Sequence, residues 1–148
     1  MAIERFEDIE AWKAARSLAG SVYAVSKKTD LAKDFGLKDQ LQRAAVSIMA
    51  NIAEGFDSRS DQEFIRFLSY AFRSASELQS HLYIALDQGY VSQEQFDQLY
   101  TEAVGVKKLL NGFIRYLQSK LRSRCGPRTT HHAPRTKGDE ACTFPFLT

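Results

Sequence analysis

Residues 92–117 have the sequence SQEQFDQLYTEAVGVKKLLNGFIRYL, in which apolar residues recur at steps of three and four. This spacing places a single apolar stripe along an α-helix. Ser92 and Gln95 form the capping box that begins such a helix, since each side chain can bond a free backbone N–H of the first turn. The predicted stripe comprises Phe96, Leu99, Ala103, Val106, Leu110, Phe113 and Leu117.

Three upstream segments have the same periodicity. The first runs from about residue 8 to residue 28. The second ends at Gly55, since glycine is favoured just past a helix C-terminus. The third begins at a second capping box, Ser60 to Glu63, and ends near residue 87. Four amphipathic helices with short connections predict an all-α protein, an up-down-up-down four-helix bundle over residues 1–122.

Residues 123–148 lack this periodicity and contain helix-breaking Gly and Pro, so we expect a flexible basic tail there. Two cysteines and two histidines of this tail have no zinc-ligand spacing, and we expect no metal site.

The whole chain has the composition of an ordinary globular protein. It contains 148 residues, of which 44% are hydrophobic, enough for one domain with a core. Two cysteines form no disulfide framework, the N-terminus carries no signal peptide, and no apolar run is long enough for a membrane span. We therefore expect a soluble, cytoplasmic protein.

Few residues are arranged for catalysis. A di-iron bundle needs Glu-x-x-His on two inward faces, whereas Glu77 and His81 are four residues apart and occur once. The sequence has no glycine-rich phosphate-binding loop after a strand. It also has no Ser/His/Asp or Cys/His pair in a context typical of nucleophilic catalysis. We predict that the protein is not an enzyme and uses no cofactor, metal or small-molecule substrate.

The positive charge is concentrated near the C-terminus. Residues 1–122 contain 16 of the 20 Lys and Arg residues and 16 of the 18 acidic residues, so the bundle is neutral. No acid occurs between Ala103 and Gly138. A basic helix face suits RNA or DNA, because each cation near a phosphate releases counterions. The candidate nucleic-acid-binding residues are Lys107, Lys108, Arg115, Lys120 and Arg122. Alternatively, these cations form a solvated face near a helix C-terminus.

Several apolar residues lie off the inward stripes, and this excess predicts self-association. The candidate interface residues are Phe72, Tyr100 and Leu109. The alternative is a thick core with scattered surface aromatics.

The second helix also carries a polar stripe. Folding the second and third helices about Ser58 brings position 43 opposite position 74, which predicts a largely buried network containing an Arg43–Glu77 ion pair. Glu54 should then find a cation such as Arg59 or Arg66. The alternative is that the polar stripe forms a solvent-exposed outer face of the second helix. The predicted network comprises Arg43, Ser47, Asn51, Glu54, Ser74 and Glu77.

Residues 35–78, FGLKDQLQRAAVSIMANIAEGFDSRSDQEFIRFLSYAFRSASEL, closely resemble the bacterial four-helix-bundle proteins encoded in intervening sequences of 23S rRNA genes. The similarity extends over about residues 5 to 120. Arg73 departs from the pattern, since relatives usually have a small residue there. The most specific motif is Asn51-Ile52-Ala53-Glu54-Gly55, with Arg43-Ala44, Ser47-Ile48, Glu63-Phe64 and Glu77-Leu78 around it.

This resemblance implies a left-handed bundle that assembles into a homopentameric ring, and kinship with nucleic-acid-associated accessory proteins of diversity-generating retroelements. It implies no enzymatic activity. The sequence therefore predicts a non-enzymatic oligomeric scaffold that associates with RNA through its basic C-terminal helix. The alternative is a structural or protein-interaction oligomer that does not bind nucleic acid directly.

Overall fold

Four long helices make up most of this computed structural model, which describes residues 3–28, 30–124 and 126. Short 3-10 turns precede α1 and α2, at Phe6–Asp8 and Asp30–Lys33. The described residues contain no β-strand, and the predicted all-α four-helix bundle is confirmed. The helices are α1 Glu10–Lys28, α2 Phe35–Phe56, α3 Asp61–Asp87 and α4 Gln93–Arg124.

Side-chain caps begin three of these helices. The Ser92 hydroxyl accepts the Gln95 N–H at 3.1 Å, and the Gln95 side chain accepts the Ser92 N–H at 2.9 Å, which completes the predicted capping box of α4. Ser60 caps α3 through a 3.2 Å bond from the backbone N–H three residues later. The α2 cap is Asp34, whose carboxylate accepts the Leu37 N–H at 3.0 Å. No pattern noted in the sequence predicted this last cap.

The helices surround one core, in which α2 packs against α1 and α3, and α4 packs against α3 and α1. Within the pair α3–α4, Tyr83 meets Phe96 near one end and Phe64 meets Phe113 near the other, so these helices run antiparallel. The predicted α4 stripe is buried along its length except at Phe113, which is half-buried.

Gly55 allows the closest approach between α2 and α3. A Cβ atom at this position would lie 2.7 Å from Phe64 Cδ2 and 2.8 Å from Phe67 Cβ. α2 ends at Phe56, one residue beyond the predicted end at Gly55, and Gly55 does not have the positive φ of a glycine that terminates a helix. Its lack of a side chain serves packing between helices rather than termination of α2.

Three members of the predicted polar network are bonded to one another across the α2–α3 contact. The Ser47 and Ser74 hydroxyls lie 2.9 Å apart, and the Asn51 amide donates to the Ser47 carbonyl at 2.8 Å and to its hydroxyl at 3.1 Å. Ser74 is buried, whereas Ser47 and Asn51 are half-buried. These bonds satisfy the polar groups that the helix contact removes from water.

The charged members of the stripe are not part of this network, and the predicted Arg43–Glu77 ion pair is wrong. Arg43 lies 3.7 Å from Asp39 of its own helix, and Glu77 lies 3.5 Å from His81. Position 47, not position 43, faces Ser74, so the helix register differs by one turn from folding about Ser58. Both charges consequently remain exposed to water.

Glu54 is also exposed, and in the described part of the chain it forms no ion pair with Arg59 or Arg66, contrary to expectation. The charged residues at the outer edge of the α2–α3 contact are therefore exposed to solvent. Only the hydroxyl and amide groups of Ser47, Asn51 and Ser74 are partly or fully buried.

The boundary predicted at residue 122 falls inside α4, which continues to Arg124. Apart from Ser123, Arg124 and Gly126, the predicted tail lies outside the described residues.

We expect Gly55→Ala to destabilise the protein by about 1–3 kcal/mol, because the overpacking around the new methyl group outweighs its helix propensity. The matched control is Gly20→Ala in α1, where nothing lies within 4 Å of the added Cβ. This control should stabilise the protein by about 0.5–1 kcal/mol. Urea unfolding measures both changes, and equal stabilisation by the two substitutions would contradict the close approach at Gly55.

We expect Ser74→Ala to lower the free energy of unfolding by about 1 kcal/mol relative to Ser80→Ala, an exposed serine of the same helix. The comparison cancels the difference in helix propensity between Ser and Ala. Arg43→Met should cost less than about 0.5 kcal/mol because its ion pair is exposed. A larger loss of unfolding free energy for Arg43→Met than for Ser74→Ala would show that Arg43 does belong to the polar network.

Candidate nucleic-acid interface

Three cations form a row on the outside of α4. Lys108, Arg115 and Arg122 are exposed and lie on the face opposite the buried stripe. Successive members are seven residues apart, which corresponds to about 10.5 Å along the helix axis. We call these three residues the α4 cationic face.

No carboxylate neutralises the α4 cationic face within the described residues. The acidic residues of α4, Glu94, Asp97 and Glu102, all precede its first lysine. The second half of the helix therefore presents unpaired positive charge to solvent, although the bundle as a whole is neutral.

The other two predicted nucleic-acid-binding residues have partners within the chain. Lys107 donates to the Gln79 side chain at 3.1 Å, and its ammonium lies 4.6 Å from the centre of the Phe72 ring. Lys120 lies 3.2 Å from the Asp61 carboxylate. At about 100° per residue, both lysines point to the flanks of α4, where α3 supplies these partners.

The predicted interface residues differ in exposure. Leu109, beside the α4 cationic face, is 42% exposed. Phe72 is half-buried beneath Lys107, and Tyr100 is half-buried against Tyr83 and Phe96, with ring centres 5.9 and 5.4 Å away. Two of the three residues therefore have partners within the chain, and self-association at these positions stays a prediction.

A second cationic group on the outside of α3 was missed in the sequence. The Arg66 Nε donates to the Tyr70 hydroxyl at 3.0 Å, and this bond raises the pKa of Arg66 above its usual value. The guanidinium groups of Arg66 and Arg73 lie 5.9 and 5.8 Å from the Tyr70 ring centre. The signal in the sequence was the seven-residue spacing of two arginines around a tyrosine.

The described residues hold no group of three or more His, Cys, Asp or Glu side chains that could bind a metal ion. Among the same residues, no helix combines the length and the apolar character needed to cross a membrane.

Comparison with known proteins identifies the family. A model of the 23S rRNA-intervening sequence protein family matches residues 7–112, a range that ends inside α4. A solved structure of a protein of unknown function from the S23 ribosomal protein family of Bacteroides thetaiotaomicron is 26% identical, with a TM-score of 0.66. The alignment covers 70% of this chain and 97% of that chain. No curated protein matches. The chain belongs to the 23S rRNA-intervening sequence protein family.

Proposed function

We propose that this protein is a non-enzymatic, oligomeric scaffold that binds RNA through the α4 cationic face. The observation that carries the proposal is the row formed by Lys108, Arg115 and Arg122, exposed and unpaired with carboxylates in the described residues. The family description, a protein of a 23S rRNA intervening sequence, also supports an RNA partner.

The physical basis of binding is electrostatic and independent of RNA sequence. Each cation placed near a phosphate releases condensed counterions, and the entropy of their release favours the complex at low salt. Residues 1–122 are neutral only when the three cations of the α4 cationic face are counted, so the rest of the bundle is net negative and the attraction is concentrated on one side of the molecule. The oligomer, for which the resemblance implies a pentameric ring, would present several such faces to one RNA. An RNA partner is consistent with a cytoplasmic location.

A protein-interaction oligomer without direct RNA binding is the second candidate. Exposed apolar side chains favour it, since Leu109, Tyr83 and Ile84 are 42%, 50% and 47% exposed. Exposed apolar surface of this kind is typical of contacts between protein chains.

Replacing Lys108, Arg115 and Arg122 together with alanine should reduce the salt dependence of RNA binding. Loss of three phosphate contacts lowers the slope of log K against log salt by about two to three units. The control removes the same charge elsewhere, at Lys27, Lys28 and Arg43, and should leave the slope unchanged. Fluorescence anisotropy at several salt concentrations measures both proteins. An unchanged slope in the first variant would exclude the α4 cationic face.

Leu109→Glu should reduce the mass of the protein in solution, because a charge buried in an apolar contact between chains costs several kcal/mol unless it is paired. The control is Thr101→Glu, which adds the same charge at an exposed polar position of α4. Sedimentation equilibrium at micromolar concentration measures the masses. If the Leu109→Glu protein retains the wild-type mass, Leu109 lies outside the interface.

A further inference from the structure

A cleft of about 1010 Å³ lies at the end of the bundle, where the α2–α3 connection meets the last turns of α4. One wall is aromatic. The Phe113 and Tyr116 rings are stacked, with centres 6.3 Å apart and planes inclined by 27°, and Phe64 packs edge-on against Phe113 at 5.1 Å. Tyr116 is 60% exposed, so the outer ring of this stack is open to solvent.

The rim of the cleft is positively charged. Arg59, Lys120 and Arg124 line it, and Asp61 is the sole acidic side chain among its described lining residues. The Asp61 carboxylate lies 3.2 Å from the Lys120 ammonium and 3.5 Å from the Arg124 guanidinium. One carboxylate therefore positions two cations without neutralising both, and Arg59 adds a further charge.

The cleft adjoins the α4 cationic face. Tyr116 directly follows Arg115 in α4, about 100° further round the helix, and Arg122 lies about 9 Å further along the axis. A polyanion lying on the α4 cationic face would therefore pass the open side of the Tyr116 ring.

We infer that the cleft accepts an unpaired base of single-stranded RNA, which stacks on Tyr116 while its flanking phosphates lie against Arg115, Arg122 and the cationic rim. Every base has a π-face, so stacking on an aromatic side chain tolerates any sequence, and basic residues then follow the backbone. The bases of a duplex are already stacked on one another and cannot occupy the cleft. This inference rests on the proposed function and specifies its RNA as single-stranded.

Binding of two fluorescent probes to the full-length protein tests the inference, one a 12-nucleotide oligouridine and the other a 12-base-pair RNA duplex. The wild-type protein should bind the single strand about tenfold more tightly than the duplex. Tyr116→Ala should weaken binding of the single strand about tenfold and leave binding of the duplex unchanged, since one base–aromatic stack is lost. Tyr116→Phe, which keeps the ring, should retain the wild-type affinity.

The matched control is Tyr23→Ala, another exposed tyrosine, which lies in α1 and does not line the cleft. It should change neither affinity. Equal binding of both probes, unaffected by Tyr116→Ala, would overturn the inference and leave the proposed function intact. If the wild-type protein binds neither probe, the proposed function fails as well. Tighter binding by Tyr116→Ala would show that protein covers the cleft, and would also overturn the inference.

Discussion

The approach of α2 to α3 at Gly55 is the constraint on which the rest of the bundle depends. Position 55 has no room for a Cβ atom, because Phe64 and Phe67 occupy the space where it would be. The contact at Gly55 and the hydrogen bond between Ser47 and Ser74 together set the register of the two helices. Phe64 in turn packs against Phe113, so the same contact helps to position α4.

The outer side of α4 contributes little to the packing of the bundle. The buried residues of α4, from Phe96 to Leu117, fill the core, whereas Lys108, Arg115 and Arg122 on the outer side form no ion pair within the described chain. Exposed charges of this kind add little to stability. Positive charge can therefore accumulate there at small energetic cost, which separates the part of the molecule that folds from the part that we propose binds RNA.

The features that the sequence predicted correctly are local ones. Helix stripes and capping boxes depend on residues within a few positions of one another, and those of α4 agree with the structure. The Arg43–Glu77 pair depended on the register between two helices, and a displacement of one turn was enough to separate these residues. The role of Gly55 likewise depends on its contact with Phe64 and Phe67 of α3, and no local pattern in the sequence indicates a contact between two helices.

The cleft was beyond sequence analysis for the same reason. One of its two ion pairs joins Asp61 to Arg124, which are 63 residues apart in the chain, and its aromatic wall combines residues of α3 and α4. Charge and periodicity in the α4 segment predicted five candidate cations. They did not indicate that Lys107 and Lys120 have partners within the chain, so that only three of the five form the α4 cationic face.

Ultraviolet cross-linking in cells that express the full-length protein would show directly whether α4 carries the surface that binds RNA. Mass spectrometry then locates the peptides that retain a nucleotide. We expect cross-links within residues 103–124, and most strongly at the peptide that contains Tyr116. Cross-links confined to α1 or α2, or a protein recovered without any attached nucleotide, would contradict this expectation.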